Sequence, residues 1–227
     1  MNKSNYLAFI PAKGNSSELK NKNIKKIHDK TLVDITIDEI KKTKIFDKIL
    51  LSSDDDKILK IGEKKKIQTI KRPKKISNST ASTESALIHA INKLNLHQLK
   101  GIFIFQVTSP LRKHTTIKSF YNFCKKNSLK NVITVSKTTN LISLNNKLNK
   151  FISLNNREIN ISRRQDKMGM VFENSLIYYI QTKFFNQTKK IKNKNMSFFI
   201  TDKYESIDID NYKDFLVSKK LYKNAKI

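Results

Sequence analysis

Apolar residues fall along this chain in two alternating patterns. Short, nearly continuous apolar or β-branched runs occupy 7–10 (LAFI), 48–53 (KILLSS), 67–70 (IQTI), 101–108 (GIFIFQVT) and 131–136 (NVITVS). Runs of this length, bounded by polar residues, predict strands buried on both faces. Between them the period changes to that of a helix. Val33, Ile37 and Ile40 form one stripe, Ala86, Leu87, Ala90, Ile91 and Leu94 a second, and Ile117, Phe120, Tyr121 and Cys124 a third. "SDDDKI" at 53–58 places acids where a helix macrodipole favours them, at its start. Alternating strands and helices predict an α/β fold: a doubly wound, mainly parallel sheet with right-handed crossovers and helices on both faces. In such sheets ligands sit at the carboxyl ends of the strands.

The alternation breaks near 137. From there to about 168 the chain is rich in Asn, Ser and Lys, and "ISLNN" occurs at both 142 and 152 around "KLNK". That spacing is the spacing of a β-hairpin, and equally of a chance repeat in a biased composition. Regular patterning returns with "SLIYYI" (175–180), "SFFIT" (197–201) and a final helix from about 211. Residues 1–227 are therefore expected to form one domain, with about 137–196 inserted into the sheet.

Composition alters this picture in only one respect. Apolar residues make up 38% of the 227, enough for a core when clustered as here. No apolar run approaches the roughly 18–20 residues of a membrane span. The N-terminal stretch lacks the pattern of a signal peptide, and a lone cysteine, Cys124, suits a reducing compartment, so a cytoplasmic protein is expected. The formal net charge of +27 raises a second reading, a nucleic-acid-binding protein. Against it, only five of the 46 basic residues are Arg, the side chain favoured for base and phosphate forks, and the lysines are spread along the whole chain. Any DNA binding is expected to be weak, salt-labile and without sequence preference.

Three stretches carry candidate chemistry. In "FIPAKGNSSELKNKNI" (9–24), a strand end passes into Pro11-Ala12-Lys13-Gly14. Gly14 permits a positive φ and close approach of a ligand, and the small residues at 15–17 leave backbone N–H groups uncovered, as in an anion-binding nest. Lys13, Lys20 and Lys22 add charge, and Asn21 and Asn23 add amides. The combination reads as a polyphosphate cradle, though not a Walker loop; the plainer alternative is a solvated lysine-rich loop. In "IFQVTSPLR" (104–112), Gln106, Thr108 and Ser109 stand at the carboxyl end of a strand, placed to read a base or sugar, or simply to make a Ser-Pro turn. In "SIDIDNYKDF" (206–215), Asp208 and Asp210 share one face of an extended segment and suit Mg²⁺ bridging to substrate phosphates, while Asp210 is alternatively the cap of the last helix. Asp54 and Asp55 are expected to cap a helix, with contact to nucleotide or metal as the alternative; Cys124 is expected to lie in the core, and His28, His89, His97 and His114 have no metal-ligand spacing.

Taken in order, these stretches resemble the bacterial CMP-sialic acid synthetases (acylneuraminate cytidylyltransferases). "IPAKGNSSELKNKN", "SSDDD" (52–56), "RP…TAS" (72–82), "QVTSPLR", "NSLIY" (174–178) and "SIDID" follow that family's motifs from about residue 6 to 220. The resemblance implies a nucleotide-diphosphosugar-transferase-like sheet with an inserted dimerisation subdomain, a homodimer, Mg²⁺ as cofactor, and transfer of CMP from CTP to a nonulosonic acid. It implies nucleotide contacts from the loop residues Ala12, Lys13, Gly14, Asn15, Ser16, Lys22 and Asn23 and from Arg72 and Thr83. Gln106, Thr108, Ser109 and Arg164 would face the sugar, Asp208 and Asp210 would hold the metal, and Lys22 with the two aspartates would carry catalysis. Lys13 stands where the family usually has Arg. Other departures are Ser17-Glu18 for Lys-Gly, Ser79 for Asp, Asn174-Ser175-Leu176 for Asn-Gly-Ala, and Phe172-Glu173 where an arginine often precedes that motif. Most fall near the sugar side. They leave room for legionaminate or pseudaminate, for Kdo (whose synthetases carry Gln-Gly-Asp-Glu-Pro where this chain has 106–110), or for a member without activity.

Overall fold

The computed structural model describes residues 5–16, 18–78, 80–138, 143–144, 152–153 and 170–224. Strand β1 (Tyr6–Pro11) leads through a loop to β2 (Lys26–Ile27), β3 (Lys30–Thr31) and helix α1 (Leu32–Thr43). Then come β4 (Lys48–Ser53), α2 (Asp56–Lys64), β5 (Gln68–Lys71), α3 (Thr83–Leu94), β6 (Gly101–Phe105), α4 (His114–Lys126) and β7 (Asn131–Thr138). After the short β8 (Ser143–Leu144) and β9 (Ile152–Ser153), the chain finishes with β10 (Met170–Gln181), α5 (Thr182–Thr188), β11 (Ser197–Ile200) and α6 (Tyr212–Asn224).

The seven-stranded sheet has the order β11-β7-β10-β6-β1-β4-β5. All neighbours pair in parallel except β10, which runs antiparallel to both β6 and β7. Alternate residues of one strand pack into opposite layers, which explains the unbroken apolar runs. Ala8 and Ile10 join α1 and α4 on one face, while Leu7 and Phe9 meet α3 and α5 on the other. The helices start where the sequence supplies acceptors. Thr31 and Asp34 form a reciprocal capping box on α1, Asp55 accepts from the Lys57 amide at α2, and Ser82 from the Ser85 amide at α3. Helix α4 has no cap of its own and borrows two: Glu205 accepts from Lys113 N (3.1 Å) and Glu39 from His114 N (2.8 Å).

Two expectations change. The interruption expected over 137–196 is narrower in the sheet itself, because β10 is an internal strand there, lying between β6 and β7. The repeated "ISLNN" does pair: Ser143 is in register with Ser153, and Leu144 with Ile152, on antiparallel strands. The strand expected over 101–108 stops at Phe105. The Gln106 carbonyl accepts from Arg112 Nη1 (3.0 Å), and the chain turns there. Among the described residues no helix is long and apolar enough to cross a membrane.

Candidate active site

The loop after β1 is built on backbone contacts to its neighbour strand. Ala12 is fully buried, and its amide donates to Ser52 O at 2.9 Å. The Gly14 amide donates to Asp54 Oδ1 at 2.9 Å, so a protein carboxylate already occupies one N–H of the expected nest. Gly14 does not adopt a positive φ; that conformation falls to Asn21, at 56°, where asparagine tolerates it. Glycine is needed at 14 for room: a Cβ there would come 2.7 Å from Asp55 Cβ. Gly14→Ala is therefore expected to push the loop away from the turn at Asp54-Asp55 and destabilise the fold by about 1–3 kcal/mol, the range for overpacking. Chemical denaturation of the variant checks this, and an unchanged midpoint would count against the close fit. Asn23, nearly buried, donates from Nδ2 to Lys13 O (2.7 Å) and braces the loop from within.

Lys22 reaches across to the far end of the sequence. Its Nζ donates to Ile209 O at 2.6 Å and lies 3.5 Å from Asp210 Oδ1. The segment around Ile209 is held in turn by the strand-end motif, since Ile209 N donates to Thr108 O at 2.9 Å. Ile209 is fully buried and Asp210 exposed, while Asp208 is half-buried. Asp208 Oδ1 is buried without a hydrogen-bond partner. Burial raises the Asp208 carboxyl above its ordinary range; a hydrogen bond from the Thr108 side chain opposes the shift, and the neighbouring Asp210 adds to it. Asp210 is exposed and does not cap α6. Asn211 Oδ1 accepts from Asp214 N (3.1 Å) while Asp214 Oδ2 accepts from Asn211 N (3.0 Å), a reciprocal cap one residue further on.

These parts converge on a cleft of about 290 Å³ at the carboxyl edge of β1 and β6. Lys13, Ser16, Lys22 and Asn23 line it from the loop, with Gln106 and Thr108 from the β6 end and Asp210 opposite. Arg72 and Thr83 line the remaining wall, Thr83 as the first residue of α3. Arg72 is only 4% exposed. Its Nη2 donates to Ser52 O (2.8 Å), its buried Nε meets no acceptor, and burial pulls the guanidinium below its usual range despite Asp54. Of the other expected site residues, Ala12, Gly14, Asn15, Ser109 and Asp208 do not line the cleft; Ala12 and Gly14 position the loop, and Ser109 is wholly buried. Arg164 lies outside the described residues. Glu18, one of the departures noted above, does line the cleft and sets an acid among its lysines.

Two braces escaped sequence reasoning. Arg112, which ends the "QVTSPLR" stretch, is buried over the Phe105 ring and donates from Nη1 to Gln106 O and Leu176 O (2.8 Å), tying the turn to the β10 bulge. Burial lowers its guanidinium to about 10. Asn174, which opens "NSLIY", donates from Nδ2 to Ser136, Thr201 and Ser206 hydroxyls and ties β7 to the approach to Asp208. Cys124 lies in the core as expected, and Asp55 caps α2.

Among the described residues no three His, Cys, Asp or Glu side chains stand together as a ready metal site. The orphaned Asp208 oxygen beside the exposed Asp210 carboxylate nevertheless fits a hard divalent cation that takes its remaining ligands from water and substrate oxygens.

A parallel sheet with one reversed strand thus carries, at its carboxyl edge, a cleft lined by lysines and carboxylates. The family model described as cytidylyltransferase matches residues 7–226, and the chain belongs to that family. Post-translational flagellin modification protein B of Campylobacter coli is 28% identical over 234 residues, covering 99% of this chain and 97% of that protein. Pseudaminic acid cytidylyltransferase of Campylobacter jejuni is 26% identical over 226 residues, with 96% of each chain covered. N-acylneuraminate cytidylyltransferase of Escherichia coli is 24% identical over 92% of this chain, which spans only 50% of that relative. The solved CMP:2-keto-3-deoxy-manno-octonic acid synthetase superposes with a TM-score of 0.71 at 11% identity, covering 96% of this chain and 98% of that one, and so shares the fold.

Proposed function

We propose that this protein transfers CMP from CTP to the anomeric hydroxyl of a nonulosonic acid and releases pyrophosphate. One observation carries the reading: residues from five separated segments, at 13–23, 72, 81–83, 106–108 and 210, line a single cleft. In the reaction the anomeric oxygen bonds to the α-phosphorus, the bond from that phosphorus to the β-phosphate bridging oxygen breaks, and the hydroxyl proton is lost. Lys22 and Lys13 meet the triphosphate charge, and Arg72 adds a guanidinium to the same wall. Gln106 and Thr108 face the acceptor. Mg²⁺ held by Asp208 and Asp210 would neutralise phosphate oxygens as a Lewis acid. Positioning and fixed charge account for most of the rate under this reading.

The acceptor is best sought outside N-acylneuraminate. Glu173, standing where an arginine often precedes the motif, pairs with Lys192 at 2.7 Å and accepts from the Tyr178 hydroxyl, so a neutral ion pair replaces a lone cation at that edge. The end-to-end match to a pseudaminic acid enzyme supports the same direction. A cytoplasmic homodimer completes the proposal. Phe198 and Ile200 on the edge strand β11, and Val171 on the same face by register, leave apolar surface for a second copy.

The test is release of pyrophosphate by purified protein with CTP, Mg²⁺ and a panel of nonulosonic acids, with ATP and GTP in parallel. CTP is expected to be used on the order of 10²-fold or more better than either purine nucleotide, the scale at which a pocket built to bond one base rejects another. Equal use of all nucleotides would sink the assignment.

A further inference from the structure

We propose that Lys22 acts as a stand-in cation in the empty cleft, holding Asp210 until nucleotide and metal arrive together. The inference rests on the cytidylyltransferase reading and concerns how that site is kept when empty. An ammonium has three N–H donors and no acceptor. One donor is fixed on Ile209 O at 2.6 Å, and this places the charge 3.5 Å from Asp210 Oδ1. The Lys22 side chain is only 14% exposed, so the charge is held in position rather than swinging in solvent. The contact spans 187 positions in sequence and joins the two walls of the cleft, the loop after β1 and the segment before α6. Asp208 feels the Lys22 charge but does not bond to it: its carboxylate accepts from the Thr108 side chain, and its buried Oδ1 has no hydrogen-bond partner.

This asymmetry has a consequence for order of binding. A divalent cation entering alone must displace, or sit beside, a positive charge already at Asp210. An anionic triphosphate entering with the metal draws Lys22 to itself and frees Asp210 in the same step. The Ile209 carbonyl bond can persist throughout, so Lys22 changes partner with little movement of its stem. Metal and nucleotide are then coupled through one side chain.

The test uses Mn²⁺ as a spectroscopic substitute for Mg²⁺ and measures its binding by electron paramagnetic resonance without nucleotide. Lys22→Met is expected to bind Mn²⁺ about three- to tenfold more tightly than the wild type, the scale for removing one charge beside a partly exposed carboxylate. Lys22→Gln, which keeps an N–H donor but no charge, should show the same gain, so loss of the Ile209 contact is not its cause. Adding Asp210→Asn to Lys22→Met should abolish the gain. Unchanged or weaker Mn²⁺ binding in both single variants of a wild type that does bind Mn²⁺ overturns the stand-in role alone. If no variant binds Mn²⁺ even with CTP present, the role falls together with the metal assignment.

Discussion

Asp208→Asn and Asp210→Asn are each expected to lose on the order of 10²-fold or more of divalent-cation-dependent turnover while the protein stays folded. The amide is nearly the shape of the carboxylate but is a poor ligand for a hard cation. Two structural facts separate this outcome from simple unfolding. The last helix is capped by Asn211 and Asp214, so neither substitution removes a cap. Asp208 is itself a liability in the empty cleft, since burial raises its carboxyl. A buried acid with a raised pKa ionises more readily unfolded than folded. Its cost is therefore absent well below the unfolded value, about 3.9 for Asp, and grows as pH rises through the window between the unfolded and folded values. At neutral pH Asp208→Asn is thus expected to melt at or above the wild-type temperature, with the difference closing in acid. Activity against Mg²⁺ concentration, with thermal melts at pH 7 and pH 3.5, checks both halves. Full activity at ordinary Mg²⁺ would falsify the metal role, and a melt well below wild type would return Asp208 to a structural one.

The sheet was legible because its strands are apolar on both faces and bounded by polar turns. The run at 48–53 coincides with β4, and the stripes of α1, α3 and α4 are buried where the helical period put them, apart from the half-buried Leu94 and Tyr121. What sequence patterning missed are contacts whose reason lies elsewhere in the chain. The need for glycine at 14 is visible in the sequence, but neither a positive φ nor the approach of a ligand is its visible cause in the structure; that is the Asp55 side chain, beyond the end of another strand. The alternative of Asp210 as the cap of α6 falls one residue early, because Asp210 and Asn211 are both good caps and only the reciprocal partner at 214 separates them. Arg112 and Asn174 serve backbone carbonyls and hydroxyls distant in sequence, and such bonds leave no periodicity. The strand β10 was partly concealed by its bulge between Glu173 and Tyr178, which interrupts the alternation that marks a strand. Its reversed direction follows from pairing, which local pattern does not encode.

Lys22→Ala is expected to lower turnover by about 10²-fold, as for removal of one preorganised electrostatic contact to a developing charge. The argument starts from position: Nζ is held at the cleft wall by Ile209 O, and the side chain is mostly buried. A fixed charge costs no reorganisation when the leaving pyrophosphate gains charge, so its loss should fall more on turnover than on CTP affinity. The same deletion that weakens catalysis is expected to strengthen binding of the metal alone, because in the empty cleft the charge lies against Asp210. Those opposite signs distinguish Lys22 from a residue that merely supports the fold, whose loss would weaken both. Steady-state kinetics at saturating CTP and Mg²⁺ measure the first effect. Turnover within about threefold of wild type, less than ~1 kcal/mol by transition-state arithmetic, would remove Lys22 from the reacting phosphates. A large rise in KM for CTP with turnover unchanged would place it in ground-state binding instead.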